Sequence, residues 1–130
     1  MTARIEVSYG ELVDKITILE IKSERIPDPA KLANVRRELA ALRDAWEAIE
    51  PGAARDDVSA ARAELRRVNA QLWDIEDAIR DHERSGTFDA RFIELARSVY
   101  VTNDHRARLK KRIDTLLGSR FSEEKSYQPY

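Results

Sequence analysis

The sequence predicts an all-α fold, an antiparallel bundle of four helices in which the second and third form a coiled-coil-like hairpin. Three observations predict it. Apolar residues recur at alternating steps of three and four along most of the chain, the spacing of one helical face. Helix-breaking residues are gathered at Pro27–Pro29, Pro51-Gly52, Gly86 and Gly118, which divides the chain into four segments. Charged residues make up 36% against 42% hydrophobic, with a mean hydropathy of −0.58, a balance that suits charged helices over sheet or disorder. At 130 residues the chain matches one domain, read here as a bundle over 1–118 followed by a polar tail over 119–130.

The first helix is expected to begin at Ser8, because Ser8-Tyr9-Gly10-Glu11 has the capping-box form. Leu12, Ile16, Leu19 and Ile26 mark its apolar stripe, with Ser23 in the missing place. It should stop before Pro27, and Asp28 can then cap a second helix that carries Pro29 at its first position. That helix holds the cleanest seam: Leu32, Val35, Leu39, Leu42, Trp46 and Ile49. Pro51-Gly52 ends it, and residues 50–57 form a loop in which Asp56 or Asp57 caps the third helix. Val58, Ala61, Leu65, Val68, Leu72, Ile75, Ile79 and His82 continue the alternation until Ser85-Gly86-Thr87. Asp89 caps a fourth helix that closes before Gly118. The tail, with Phe121, Tyr127 and Tyr130 scattered through it, is expected to be disordered.

Composition narrows the function classes. Twenty-three basic against 24 acidic side chains give a net charge of −1, so nucleic acid and anionic membrane are not the default partners. The absence of cysteine excludes disulfides, thiolate metal sites and cysteine nucleophiles. No apolar run reaches the roughly 18 residues of a membrane span, and the N-terminus lacks the apolar core of a signal peptide. A soluble cytoplasmic protein is the expectation.

Helix 1 is apolar on more than one side, as in a helix packed between two neighbours. Its second face carries Glu11, Asp14, Lys15, Ile18, Lys22 and Arg25, either a salt-bridged edge or a polar site or dimer contact built around Glu11, Asp14 and Lys15. On helix 3, Asn69, Trp73 and Glu76 flank the seam, and Asp77 adjoins them. Glu11-x-x-Asp14 and Asp74-x-x-Asp77 each set two carboxylates one turn apart, the oxygen-only arrangement used by Mg²⁺ or Mn²⁺. Glu11, Asp14, Glu76 and Asp77 are therefore the candidate metal ligands. Such pairs resemble those of the all-helical nucleotide pyrophosphohydrolases, but the doubled glutamates of that family's first motif are missing. With 24 acidic residues, such pairs also arise by chance.

On helix 4 the inward stripe must pass Thr102, Asn103 and Arg106. Buried polar groups require partners, so this stretch is either a polar layer fixing helix register or a ligand pocket lined by Tyr100, Asn103, Asp104 and Arg106. The basic run from His105 to Arg112 reads as a solvated helix end. A nucleic-acid patch there would lack interleaved aromatics. His82 and His105 have no metal-site motif around them, and no phosphate-binding glycine loop or nucleophile elbow is present.

The stretches Glu11-Leu-Val-Asp-Lys-Ile-Thr-Ile-Leu-Glu-Ile-Lys22, Val68 to Asp77, and Phe92 to Tyr100 followed by Asn103-Asp104 resemble an uncharacterised bacterial family of small helical proteins. The resemblance covers nearly the whole chain, including the Glu-Glu-Lys-Ser-Tyr tail. It implies one intact domain, a bacterial cytoplasm and a setting near glycosyltransferase or surface-polysaccharide genes. It assigns no catalytic residue.

Two functional readings follow. The first is a non-catalytic interaction or accessory protein without a cofactor. Because the two heptad seams, including Trp46 and Ile49, exceed what one small bundle covers, it would work as a homodimer or with a protein partner. The second is a Mg²⁺- or Mn²⁺-dependent binder of a nucleotide or nucleotide-sugar, or an enzyme acting on one. There Glu11, Asp14, Glu76 and Asp77 hold metal, and Lys15 or Arg106 meets phosphate. Lys15, Asn69, Trp73, Tyr100, Asn103, Asp104 and Arg106 are the candidate ligand-binding residues.

Overall fold

A computed structural model describes residues 1–49 and 55–130. They form four helices and, among the described residues, no strand: α1 (Tyr9–Arg25), α2 (Pro29–Glu47), α3 (Asp56–Ser85) and α4 (Ala90–Leu117). Three of the caps fall where local chemistry puts them. Ser8 accepts from the Glu11 amide, Asp28 from Ala30, and Asp89 from Phe92. Gly86 and Gly118 end α3 and α4 in the left-handed region, at φ 67° each, where a side chain would be strained. The start of α3 differs. Its cap is Arg55, which makes no side-chain capping bond, while Asp56 and Asp57 sit inside the first turn, favourable to the positive end of the helix dipole. The loop expected at Pro51-Gly52 lies outside the described residues.

The pairing of helices corrects the expected hairpin. Among the described residues α2 packs on α1, and α3 pairs chiefly with α4. Short connections set this pattern. Three residues, Ile26 to Asp28, turn α1 back into α2, and Gly86 to Asp89 turn α3 into α4, so each pair is held adjacent. Arg55 at the start of α3 donates to the Leu116 carbonyl, and His82 near its end stacks 6.0 Å from Phe92, so α3 and α4 run in opposite directions. An apolar seam states that a face is covered, not which helix covers it. Here α1 covers α2. Leu12, Ile16, Leu19, Val35 and Leu39 form one core cluster, with Leu42, Trp46 and Ile49 packed against it. The seam expected to be surplus on α2 is thus covered in part: Val35 and Leu39 are buried, while Leu32, Leu42, Trp46 and Ile49 stay half-buried.

α1 touches all three other helices, as its two-sided apolar pattern requires. Its Val13 joins Ala61, Leu65, Val68, Leu109 and Ile113 in the second core cluster, and Trp46 packs against both clusters. Residues 119–130 form no helix and lie back along α4, where Glu123 bonds Lys110 and Tyr130 bonds Asp104. No described helix is long and apolar enough to cross a membrane.

Candidate functional site

The interruption in the α4 stripe is a polar junction of three helices. Asp14 of α1 is 1% exposed and receives a forked pair of bonds from Arg106 of α4: Nε to Oδ1 at 2.9 Å and Nη2 to Oδ2 at 2.5 Å. Asn69 of α3 donates its amide to Asp14 Oδ1 at 2.9 Å and to Thr17 Oγ at 3.0 Å. Thr17 in turn donates to the Asp14 carbonyl at 2.8 Å. Hydrogen bonding to Asp14 raises the pKa of Arg106 against the opposing effect of burial, so the guanidinium stays charged. A planar guanidinium meeting a carboxylate in two parallel bonds fixes orientation as well as charge.

One turn further along α4, Lys110 is 7% exposed and its ammonium meets Glu11 at 2.7 Å, Glu123 at 2.8 Å and Asp14 at 4.0 Å. Burial pulls its pKa down, but the bonds to Glu11 and Glu123 outweigh that, and the net shift is upward. Glu123 is held down to about 2, first by Lys110 and then by Lys125. A further turn on, Asp114 Oδ1 accepts from the Gly10 amide at 2.6 Å, and Ser119 Oγ accepts from the Tyr9 amide at 3.0 Å. Together with Ser8, these groups satisfy the first amides of α1, which helix geometry leaves without partners. α1 is therefore joined by polar bonds to three successive turns of α4, at Arg106, Lys110 and Asp114, and to Ser119 just beyond its end.

Above this junction, Ile18, Asn69, Leu72, Trp73, Glu76, Asp77, Arg80, Asn103 and Arg106 line an open cleft of about 450 Å³. The Asn69 amide oxygen takes no part in the bonds beneath. Glu76 pairs with Arg80 at 2.8 Å, and Arg25 lies 5.8 Å from the Trp73 ring centre. A narrower cleft of about 280 Å³ continues past Asn103 and Arg106 to Lys110, Glu11 and the tail. A third, of about 720 Å³, opens between α4 and the tail along Tyr100, Asn103, Asp104, Tyr127 and Tyr130. There Tyr130 donates to Asp104 at 2.6 Å, and its ring lies 4.9 Å from that of Tyr100.

The sequence candidates thus meet in part. Asn69, Trp73, Asn103 and Arg106 share one cleft with Glu76 and Asp77, and Tyr100 and Asp104 border the adjoining one. Lys15 is exposed and lines none of these clefts. Glu11, Asp14, Glu76 and Asp77 do not come together as a ligand set. Glu11 and Asp14 are held by Lys110 and Arg106, and among the described residues no three acidic or histidine side chains form a group that could hold a metal ion. The basic run is not simply a solvated end either, because Arg106 and Lys110 turn inward onto α1. Lys110 and Asp114 are the residues sequence reasoning missed. Their four-residue steps from Arg106 continue the polar stripe and could have been read from it.

None of the curated proteins and none of the solved structures matches the chain. A family model does, over residues 3–129, which takes in α1 to α4 and nearly all of the tail that packs on α4. The chain belongs to a family of unknown function, DUF6165.

Proposed function

We propose that the chain is a binding module whose cleft between α1, α3 and α4 takes an uncharged, polyhydroxylated ligand of the sugar class. The observation that carries this reading is the charge balance of the cleft. Both cations lining it are already matched by carboxylates, Arg106 by Asp14 and Arg80 by Glu76, and Asp77 adds a further acid. A phosphate would enter a site with no surplus positive charge, against the usual requirement for anion recognition. What the cleft offers instead is the Trp73 indole as an apolar wall beside planar amides and carboxylates. Those groups accept from and donate to hydroxyls while the ring covers the apolar face of a sugar. This reading sharpens the accessory role expected from the sequence and accords with the polysaccharide setting that the family resemblance implies.

A thermal-shift screen tests it, since a ligand that binds the native state raises its melting temperature. Neutral mono- and oligosaccharides are compared with nucleotides and nucleotide-sugars, each with and without Mg²⁺. The expected result is a metal-independent rise with a neutral sugar that disappears in Trp73→Ala. A rise confined to nucleotide-sugars with Mg²⁺ would replace this reading with the metal-dependent one. No rise with any ligand at millimolar concentration would leave a protein partner as the working answer.

A further inference from the structure

Among the side chains that line the Trp73 cleft, Asn69 alone is buried, at 6% exposure. Its amide has two hydrogens, and both are taken beneath the cleft, by Asp14 Oδ1 and by Thr17 Oγ. Each of these partners needs a donor. Asp14 Oδ1 already accepts from Arg106 Nε, and the Thr17 hydroxyl has given its own hydrogen to the Asp14 carbonyl. Turning the amide over would set its oxygen against two acceptors, so the junction's own chemistry decides which way Asn69 faces. Among the described residues, Arg66 Nε is the one buried side-chain nitrogen or oxygen without a hydrogen bond. The Asn69 oxygen has no hydrogen bond either, so it is open to the cleft that Asn69 lines. At its buried end the cleft therefore presents a fixed acceptor with no hydrogen to give.

We propose that Asn69 Oδ1 sets the specificity of this cleft: it takes a hydrogen from one hydroxyl of the bound sugar, and a ligand without a donor at that position is turned away. This rests on the sugar reading above and names the protein atom that selects and the group it selects for. Rigidity makes the selection sharp. An asparagine on the surface rotates its amide to offer either end, so it tells a donor from an acceptor poorly. Asn69 has no such freedom, because rotation breaks its bonds to Asp14 and Thr17 together. A ligand that fills the cleft displaces the water on the Asn69 oxygen. One that brings no hydrogen there leaves a buried acceptor unpaired, and a site built to bond a hydroxyl discriminates by that cost. Trp73 lies one turn further along the same face of α3, about 6 Å up the helix axis. A sugar ring against the indole thus has one edge over Asn69.

Nuclear magnetic resonance on the isotope-labelled full chain tests it. The probes are the methyl glycosides of glucose, mannose and galactose, each with its series in which one hydroxyl at a time is replaced by hydrogen. The Trp73 indole N–H reports that the cleft is occupied. The Asn69 side-chain N–H pair reports a hydrogen bond to its own oxygen, because bonded groups polarise one another. With at least one of the three sugars, both signals are expected to move along one binding curve. For that sugar, one deoxy analogue is expected to bind about tenfold more weakly and to leave the Asn69 signals unmoved, as one unpaired acceptor dictates. In Asn69→Leu, close in volume but without the acceptor, that analogue and its parent are expected to bind alike. The spectra of the unaltered chain carry the test alone if this variant does not fold. Movement of Trp73 without Asn69, or equal binding of every deoxy analogue, overturns the proposal and leaves the sugar reading standing. No movement of Trp73 with any of the three sugars overturns both.

Discussion

At Gly10 the backbone of α1 approaches α4 so closely that a Cβ would run into the Lys110 carbonyl and come within 2.8 Å of Asp114 Oδ1. Replacing a helical glycine by alanine ordinarily gains about 0.5–1 kcal/mol from reduced backbone freedom. Here a backbone oxygen is the obstacle and cannot rotate away, so the sign reverses. Gly10→Ala is expected to destabilise by about 2 kcal/mol, the scale of an overpacked core, read as a lowered midpoint in urea. Arg106 gives a second case. Arg106→Met leaves the Asp14 carboxylate buried, with Asn69 and a more distant Lys110 as partners, and removing one member of such a pair costs about 3 kcal/mol. The double variant Arg106→Met, Asp14→Leu removes the stranded charge as well. Its loss in urea denaturation is expected to be smaller than the sum of the single losses. An additive result would mean that the pair holds nothing together.

Among the elements, the tail is where the pattern of the sequence and the packing part company. Its residues carry neither periodicity nor a breaker signal, so nothing local distinguishes a docked strand of chain from a free one. What docks it is a set of partners supplied by α4: Lys110 for Glu123, Lys111 for Glu124 and Asp104 for Tyr130. The pH dependence follows from Glu123, held down to about 2 from an ordinary 4.5 by Lys110 and Lys125. A depressed acid favours the docked state once it is ionised. Its contribution is therefore complete above pH 4.5 and declines as pH falls toward 2. Backbone relaxation of residues 123–130 is expected to report a more mobile tail across that window, and Glu123→Gln is expected to show that mobility already at neutral pH. The side chain is largely exposed, so the effect belongs to the tail and leaves global stability nearly unchanged. The helices themselves were legible because caps and breakers act locally: Ser8, Asp28, Asp89, Gly86 and Gly118 each do at short range what their chemistry dictates. The partner of each seam was not. Val35 and Leu39 specify a buried face, but the short turn at Pro27, not the seam, decides that α1 covers it. The site divides in the same way. Asn103 and Arg106 announced a polar layer by interrupting an apolar stripe. That Asp14 is the counterpart of Arg106, which also donates to Asn103, depends on how α1 crosses, which no local pattern encodes.

Across the whole molecule, stability is distributed unevenly along the α3–α4 hairpin. Its near half is enclosed by α1, the apolar cluster of Val13, Ala61, Leu65, Val68, Leu109 and Ile113, and the Asp14–Arg106 junction, so opening there requires losing much of the core. Its far half, from about Ile75 to about Val99, keeps one fully buried apolar side chain and can open while the rest stays folded. Cooperative units of this kind differ in their opening free energy, and native-state amide exchange reads them separately. Dilute protein is expected to show weak protection for Ile75–His82 and Phe92–Val99 beside strong protection for Leu65, Val68, Leu109 and Ile113. Uniform protection would contradict the uneven distribution, since the half-buried seam would then be as hard to open as the core.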